Sequence, residues 1–263
     1  MIIDFHTHCF PDALAKKATA QLSKVAGNAP FYTDGTVGGL KKSMRECGID
    51  LSVIQHIATK PAQTPIVNRW AADINDEQTV CFGTIHPEYV GWKDEISFLQ
   101  DANIKGVKFH PDYQGFTVDE KRLYPIYEGI AKAGLIMLFH AGLDIGLPGP
   151  YKCMPENLNR VLKDFPGAKV IAAHMGGYAY WDLVEKHLLG EELYLDTSYC
   201  LIGMSDQRLK GLILSHGYKK VLFGSDSPWT NQKAEAEKIR GLGLDEAKTD
   251  AVLAGNAKRL LNI

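Results

Sequence analysis

The chain has 263 residues, 45% hydrophobic, 10% aromatic and 23% charged, ordinary globular values with enough length to bury a large core. Its formal charge of −2, from 29 basic and 31 acidic residues, supplies no basic stripe to grip a phosphate backbone and argues against nucleic acid or an anionic membrane as partner. The five cysteines (Cys9, Cys47, Cys81, Cys153, Cys200) are scattered, odd in number and without a Cys-x-x-Cys pair, which suits a reducing compartment better than a disulfide scaffold. No basic-then-apolar leader precedes Ile2 and no apolar run approaches the roughly 18 residues of a membrane span, so the expected location is the cytoplasm.

In chain order, short β-branched or apolar runs predict eight strands, near 2–6, 51–55, 79–84, 105–109, 135–139, 169–173, 193–196 and 221–224. Segments of helical character separate them, among them 40–47, 68–75, 92–103, 123–133, 156–165, 180–189 and 207–216, with Gly or Pro often marking the ends. Strands that are nearly all apolar belong to a parallel sheet covered on its outer side. Eight such units over about 250 residues fit a single (β/α)8 TIM barrel filling residues 1–263. A doubly wound open sheet is the alternative, but the first turn has no Gly-x-Gly-x-x-Gly loop. Two long segments fall at the expected barrel mouth: 9–35, and the Gly- and Pro-rich 141–155.

Several of these runs end in a group able to bind a metal. The first ends in His6-Thr-His8, whose rings lie two residues apart on one strand face, and three later runs end in His140, His174 and Asp226. In a parallel barrel all strand C-termini open on one rim, so these five side chains are expected to converge there. Imidazoles with one carboxylate suit a divalent ion such as zinc. Burying them with neither an ion nor a hydrogen-bond network would be costly.

Taken in order, Asp4-Phe-His6-Thr-His8, Gly106-Val-Lys-Phe-His110-Pro, Phe139-His140-Ala-Gly142, Ala173-His174-Met-Gly-Gly177, Tyr194-Leu-Asp196-Thr-Ser198, Phe223-Gly-Ser-Asp226-Ser-Pro228 and Gly255-Asn-Ala-Lys-Arg-Leu-Leu261 resemble the amidohydrolase superfamily. The resemblance spans essentially the whole chain. It is to a branch of short metal-dependent barrels that includes hydrolases and non-oxidative decarboxylases of the aminocarboxymuconate-semialdehyde type. It implies that His6, His8, His140 and Asp226 hold one ion, that Asp226 also accepts a proton from water, and that His174 transfers protons or polarises substrate. In two-metal members a lysine or glutamate of the fourth strand bridges the ions, with the equivalents of His140 and His174 on the second.

The fourth strand leaves the number of ions, one or two, open. Lys108 and His110 share a face; Lys108 is either a bridge or an interior lysine paired with an acid such as Asp4, which alternation puts on the face of His6. His110 either completes a ligand set or touches substrate. Lys60, His56, His86, Tyr113, Gln114, Trp229, Asp196 and Ser198 are further rim candidates, Cys9 and Cys153 lie on loops at the same end, and His187 and His216 are expected to face solvent from helices. The expected activity is metal-assisted hydrolysis of a small carbonyl compound, with decarboxylation of a small carboxylate on the same residues as the competitor. A TatD-type nuclease fits less well, since it would place a glutamate on the fourth strand and Glu-Thr-Asp on the eighth; an idle ligand-binding barrel would not need every ligand and the base. The expected partner is a small-molecule substrate, with a homodimer as the assembly considered.

Overall fold

The computed structural model describes residues 1–200 and 202–263. Eight strands, β1 (Ile3–Thr7), β2 (Leu51–Gln55), β3 (Thr79–Thr84), β4 (Gly106–Phe109), β5 (Ile136–Phe139), β6 (Val170–Ala172), β7 (Tyr194–Asp196) and β8 (Val221–Leu222), pair in parallel, each with the next in sequence. Closure comes from backbone bonds between β1 and the residues around β8: the Phe5 amide donates to the Phe223 carbonyl (2.8 Å), the Asp226 amide to His6 (2.8 Å) and the His8 amide to Ser227 (2.6 Å). The expected (β/α)8 barrel is the fold.

The strands sort their side chains into two layers. Ile3, Phe5, Leu51, Val53, Phe82, Ile136, Leu138, Ile171 and Leu222 fill the interior together with Ala257, Leu260 and Leu261 of the C-terminal helix. Their alternates, such as Ile54, Cys81, Val107, Phe109, Met137, Phe139 and Leu195, pack outward against the helices. Both faces of each strand are therefore apolar, which is why the runs read as continuous.

Helices form close to the predicted segments, with ends moved by a few residues. The helix expected at 68–75 is Gln63–Asp73, and the segment 9–35 contains a helix of its own, Asp12–Val25, at the barrel mouth. His216 departs from expectation: it is buried, its Nε2 donating to the Leu193 carbonyl (3.0 Å) while Nδ1 accepts from the Gly190 amide (3.3 Å). The polar atoms of an imidazole at a helix end tie that end to the loop before β7, a contact no periodicity shows. His187 is half-buried.

Strand β1 is irregular between Asp4 and Thr7, where its register on β2 shifts. Asp4 consequently does not share the inner face with His6. It accepts from the Ser225 amide (2.8 Å), the Ser225 hydroxyl (2.6 Å) and Gln232 Nε2 (2.8 Å) of the helix Gln232–Gly241, so the pairing of Lys108 with Asp4 is not made.

Gly224 sits where β8 meets β1. A Cβ there would lie 2.9 Å from His6 Cβ and 3.3 Å from Ser198 Cβ, so something must shift. Gly224→Ala is expected to cost about 1–3 kcal/mol, the usual penalty of overpacking, read as a lower urea midpoint. An unchanged midpoint would show that the closure is not tightly packed.

Candidate metal centre

His6, His8 and Asp226 meet at the rim. His6 Nε2 lies 3.2 Å from His8 Nε2, His8 Nε2 lies 3.2 Å from Asp226 Oδ1, and His6 Nε2 lies 3.6 Å from the same oxygen. Ligands about 2.0–2.1 Å from a tetrahedral zinc are separated by about 3.3 Å, so this triangle has the size of one face of such a site. Asp226 reaches it from a left-handed backbone (φ 75°), held by the bond from its amide to the His6 carbonyl.

The protonation of the rings follows from their neighbours. His6 Nδ1 faces Asp196 Oδ2 at 2.8 Å and His8 Nδ1 faces the Gln55 carbonyl at 3.0 Å. A carboxylate and a carbonyl only accept, so both Nδ1 atoms carry the proton and both Nε2 atoms present lone pairs. Three electron-rich atoms then converge with no proton among them, an arrangement that a cation satisfies. The residues present fit a divalent metal.

Asp196, on β7, accounts for much of this order. Its Oδ1 accepts from the His174 amide (3.1 Å), the Ser198 amide (3.0 Å) and the Ser198 hydroxyl, while Oδ2 takes His6. Burial opposes its charge, but the pull of His6 and His174 and these bonds hold the carboxyl well below the usual range. Asp226 is likewise held low, burial being outweighed by the hydrogen bond to His8 and the fields of His6 and His174. Lys108 enters from β4 with Nζ 3.3 Å from His6 Nε2, and burial pushes it down to about 8.

His140 and His174 stand beside the triangle. Tyr199 and His174 also have left-handed backbones (φ 60° and 58°), and His174 Nδ1 lies 3.0 Å from the Ser198 carbonyl while its Nε2 lies 3.1 Å from His140 Nδ1. Both nitrogens of His174 are thus engaged. His140 groups by distance with His110 and Asp144, all three offering atoms within 4.8 Å of one another; His6, His8 and Asp226 form the other such group among the described residues. Asp144, on the long loop after β5, is the residue that sequence reasoning missed, because nothing in its local pattern marks it.

The groups open on a cavity of about 530 Å³. Its floor carries His8, Lys108, His110, His140, His174 and Asp226, and its walls include Phe10, Leu14, Leu22, Ile66, Val67 and Trp70. Tyr113, Trp229, Cys9 and His56 also line it. His56 donates from Nδ1 to the Phe82 carbonyl (2.8 Å) and has no partner at its buried Nε2. The other rim candidates serve the scaffold or stand apart. Gln114 accepts from the His110 amide and donates to Ala58 and Ile85, His86 accepts from the Glu88 amide, and Lys60 is exposed. Burial pushes the thiols of Cys9 and Cys153 up, which leaves them poor nucleophiles.

Burial sets the acid stability of the metal-free protein. It lowers His6 and His56 to about 4 and holds His110 and His140 well below their ordinary value of 6.5. Between pH 6.5 and 4 the unfolded chain takes up these four protons and the folded chain does not, so stability falls as pH falls. Asp4 and Asp112, each raised to about 6 by burial against their hydrogen bonds, act in the opposite direction but are two groups against four. The urea midpoint in EDTA is therefore expected to drop steeply from pH 7 to 5; a flat profile would contradict neutral buried imidazoles.

The amidohydrolase family model matches residues 3–263. No curated protein matches the sequence. Among solved structures, a TIM-barrel protein of Bordetella bronchiseptica superposes with a TM-score of 0.80 at 20% identity, covering 99% of this chain and 98% of that one. The 5-carboxyvanillate decarboxylase of Sphingomonas paucimobilis gives 0.77 at 17% identity, covering 100% and 99%. A dihydroxybenzoic acid decarboxylase of a Polaromonas species, solved with manganese and 2-nitroresorcinol, gives 0.74 at 16%, covering 99% and 96%. At these identities the structural likeness is one of fold, whereas the family model spans the chain from its first strand to its last residue: the protein belongs to the amidohydrolase family.

Proposed function

We propose that this protein is a zinc-dependent hydrolase of a small, largely apolar carbonyl compound: an amide, lactone or ester. The observation that carries the reading is the position of Asp226. One carboxylate stands 3.2 Å and 3.6 Å from the Nε2 atoms of His8 and His6 and also lines the cavity. It can therefore serve both a cation held by the two imidazoles and whatever fills the pocket. When bound, the ion acts as a Lewis acid that acidifies water and polarises a carbonyl. Two nitrogens and one oxygen form a donor set that suits zinc.

The chain's own groups divide the remaining work. Asp226, anionic at neutral pH, receives the proton that the attacking water loses. His56 lines the cavity wall, its ring held by the bond from Nδ1 to the Phe82 carbonyl. His174 sits beside the reacting groups and, with both nitrogens engaged, orients His140. The apolar walls exclude water from around the substrate body and strengthen the electrostatics at the floor. No arginine lies among the described lining residues, and Lys108 is their single lysine, which favours a neutral substrate over a carboxylate.

Decarboxylation is the second reading, favoured by the decarboxylases among the structural neighbours and by Lys108, a cation able to pair with a substrate carboxylate. Zinc-loaded protein assayed in ¹⁸O-water against esters, lactones, amides and aromatic carboxylates separates the two. Hydrolysis is expected to put one ¹⁸O into product at each turnover. Release of carbon dioxide from a carboxylate, with the other classes untouched, would overturn it. Asp226→Asn is expected to lower kcat by about 10²–10⁴-fold with the far-UV circular dichroism unchanged; undiminished turnover would remove Asp226 from the chemistry.

A further inference from the structure

We infer that the substrate carries a long, unbranched hydrocarbon chain, held in an apolar trough between the helix Asp12–Val25 and the helix Gln63–Asp73. The inference rests on the proposed hydrolysis for its reacting carbonyl, and it names what that carbonyl is attached to. Charge is confined to one part of the cavity. Lys108, His110, His140, His174 and Asp226 lie at strand ends and Asp144 follows β5, whereas the two helices contribute Leu14, Leu22, Ala26, Ile66, Val67 and Trp70. The helix Asp12–Val25 also carries Lys16, Lys17 and Lys24, and none of these is among the described lining residues.

The trough is long. Leu14 and Ala26 line the same cavity twelve residues apart on one helix and its cap, so at a rise of 1.5 Å per residue this wall runs about 18 Å. A hydrocarbon chain advances about 1.25 Å per carbon, from bonds near 1.5 Å at the tetrahedral angle, so the wall accommodates a chain of up to about fourteen carbons. A compact substrate cannot touch both ends of it. Nor is this the face by which the helix packs: Ala15 and Thr19 are the residues it buries, and a Cβ at Gly35 would lie 2.5 Å from Thr19 Cγ2. At the other end of the helix a Cβ at Gly146 would lie 3.4 Å from Val25 Cγ1, which sets Ile145 near the last turn.

The apolar surface continues out of the cavity. Leu14, Ile66 and Ile145 line it and are nevertheless 56%, 67% and 45% exposed. Apolar side chains left in water gain when a ligand covers them, and patches of this kind mark binding grooves. A chain fits this surface better than a protein partner does, because the exposed side chains lead into an interior space of about 530 Å³ that a chain can enter and a folded surface cannot.

Straight-chain 1-alkanols, which need no turnover, are the probe. Calorimetric titration of the protein as purified is expected to give one site per chain, with affinity rising about fourfold for each methylene from butanol to decanol, the transfer free energy of one CH₂. Ala26→Trp, which fills the trough near the end of its helix, is expected to weaken decanol about tenfold or more, the loss of two or three such methylenes, and butanol less. Wild-type crystals soaked in 10-bromo-1-decanol and measured at the bromine absorption edge are expected to show one anomalous peak in the trough, a result independent of whether the variant folds. Equal affinity from butanol to decanol, or a bromine peak elsewhere or none, overturns the inference and leaves hydrolysis to the ¹⁸O assay. A rising series with bromine in the trough supports it even where no ¹⁸O enters any product, which would overturn the hydrolytic reading alone.

Discussion

The site depends on a set of acceptors that cannot donate. Asp196, the Gln55 carbonyl and the Ser198 carbonyl each face an imidazole Nδ1, and each obliges that nitrogen to keep its proton. The lone pairs are thereby sent to the opposite ring nitrogen, toward the rim. Were any of these acceptors a donor instead, the ring would turn a proton to the centre, and its affinity for a cation would be lost. Asp196 and Ser198, which do not line the cavity, therefore help decide what the groups lining it can do.

This arrangement is stabilised by the barrel around it. Asp196 is a buried carboxylate, and such a charge persists only where hydrogen bonds replace the water it has lost. Two backbone amides, a hydroxyl and an imidazole do so. They come from β1 and from the segments following β6 and β7, so the network forms only when these chain ends are already side by side. The apolar interior beneath, from Ile3 and Phe5 to Leu222, holds them there. The left-handed backbones of His174, Tyr199 and Asp226, all beyond strand ends, are local costs of order 1–3 kcal/mol each, carried by that packing.

The cavity above couples a polar floor to apolar walls. Imidazoles, carboxylates and Lys108 lie at the strand ends, while the helix Asp12–Val25 and the segment after β2 supply Leu14, Leu22, Ile66, Val67 and Trp70. A substrate entering this space exchanges water for side chains on most sides, and interactions at the floor strengthen as the local dielectric falls.

Much of this was legible in the chain. Eight apolar runs separated by helical segments implied the barrel, because burial on both faces leaves a strand few polar positions. His6, His8, His140, His174 and Asp226 stood out because each ends such a run, and parallel strands carry their ends to one rim. Asp144 lies inside a loop rich in Gly and Pro, and only the fold brings it to His110. The register shift in β1 moved Asp4 away from Lys108, and no alternation rule foresees an irregularity that arises from closing against β8. His216 was placed in solvent by its helix and is buried by a loop that its own ring nitrogens bind. The sequence by itself determined which residues are strand ends and what chemistry they carry, since periodicity and side-chain type are local properties. Which ring nitrogen keeps its proton, and how the donors divide into two groups, only the tertiary structure decided, because hydrogen-bond partners up to 190 residues apart set both.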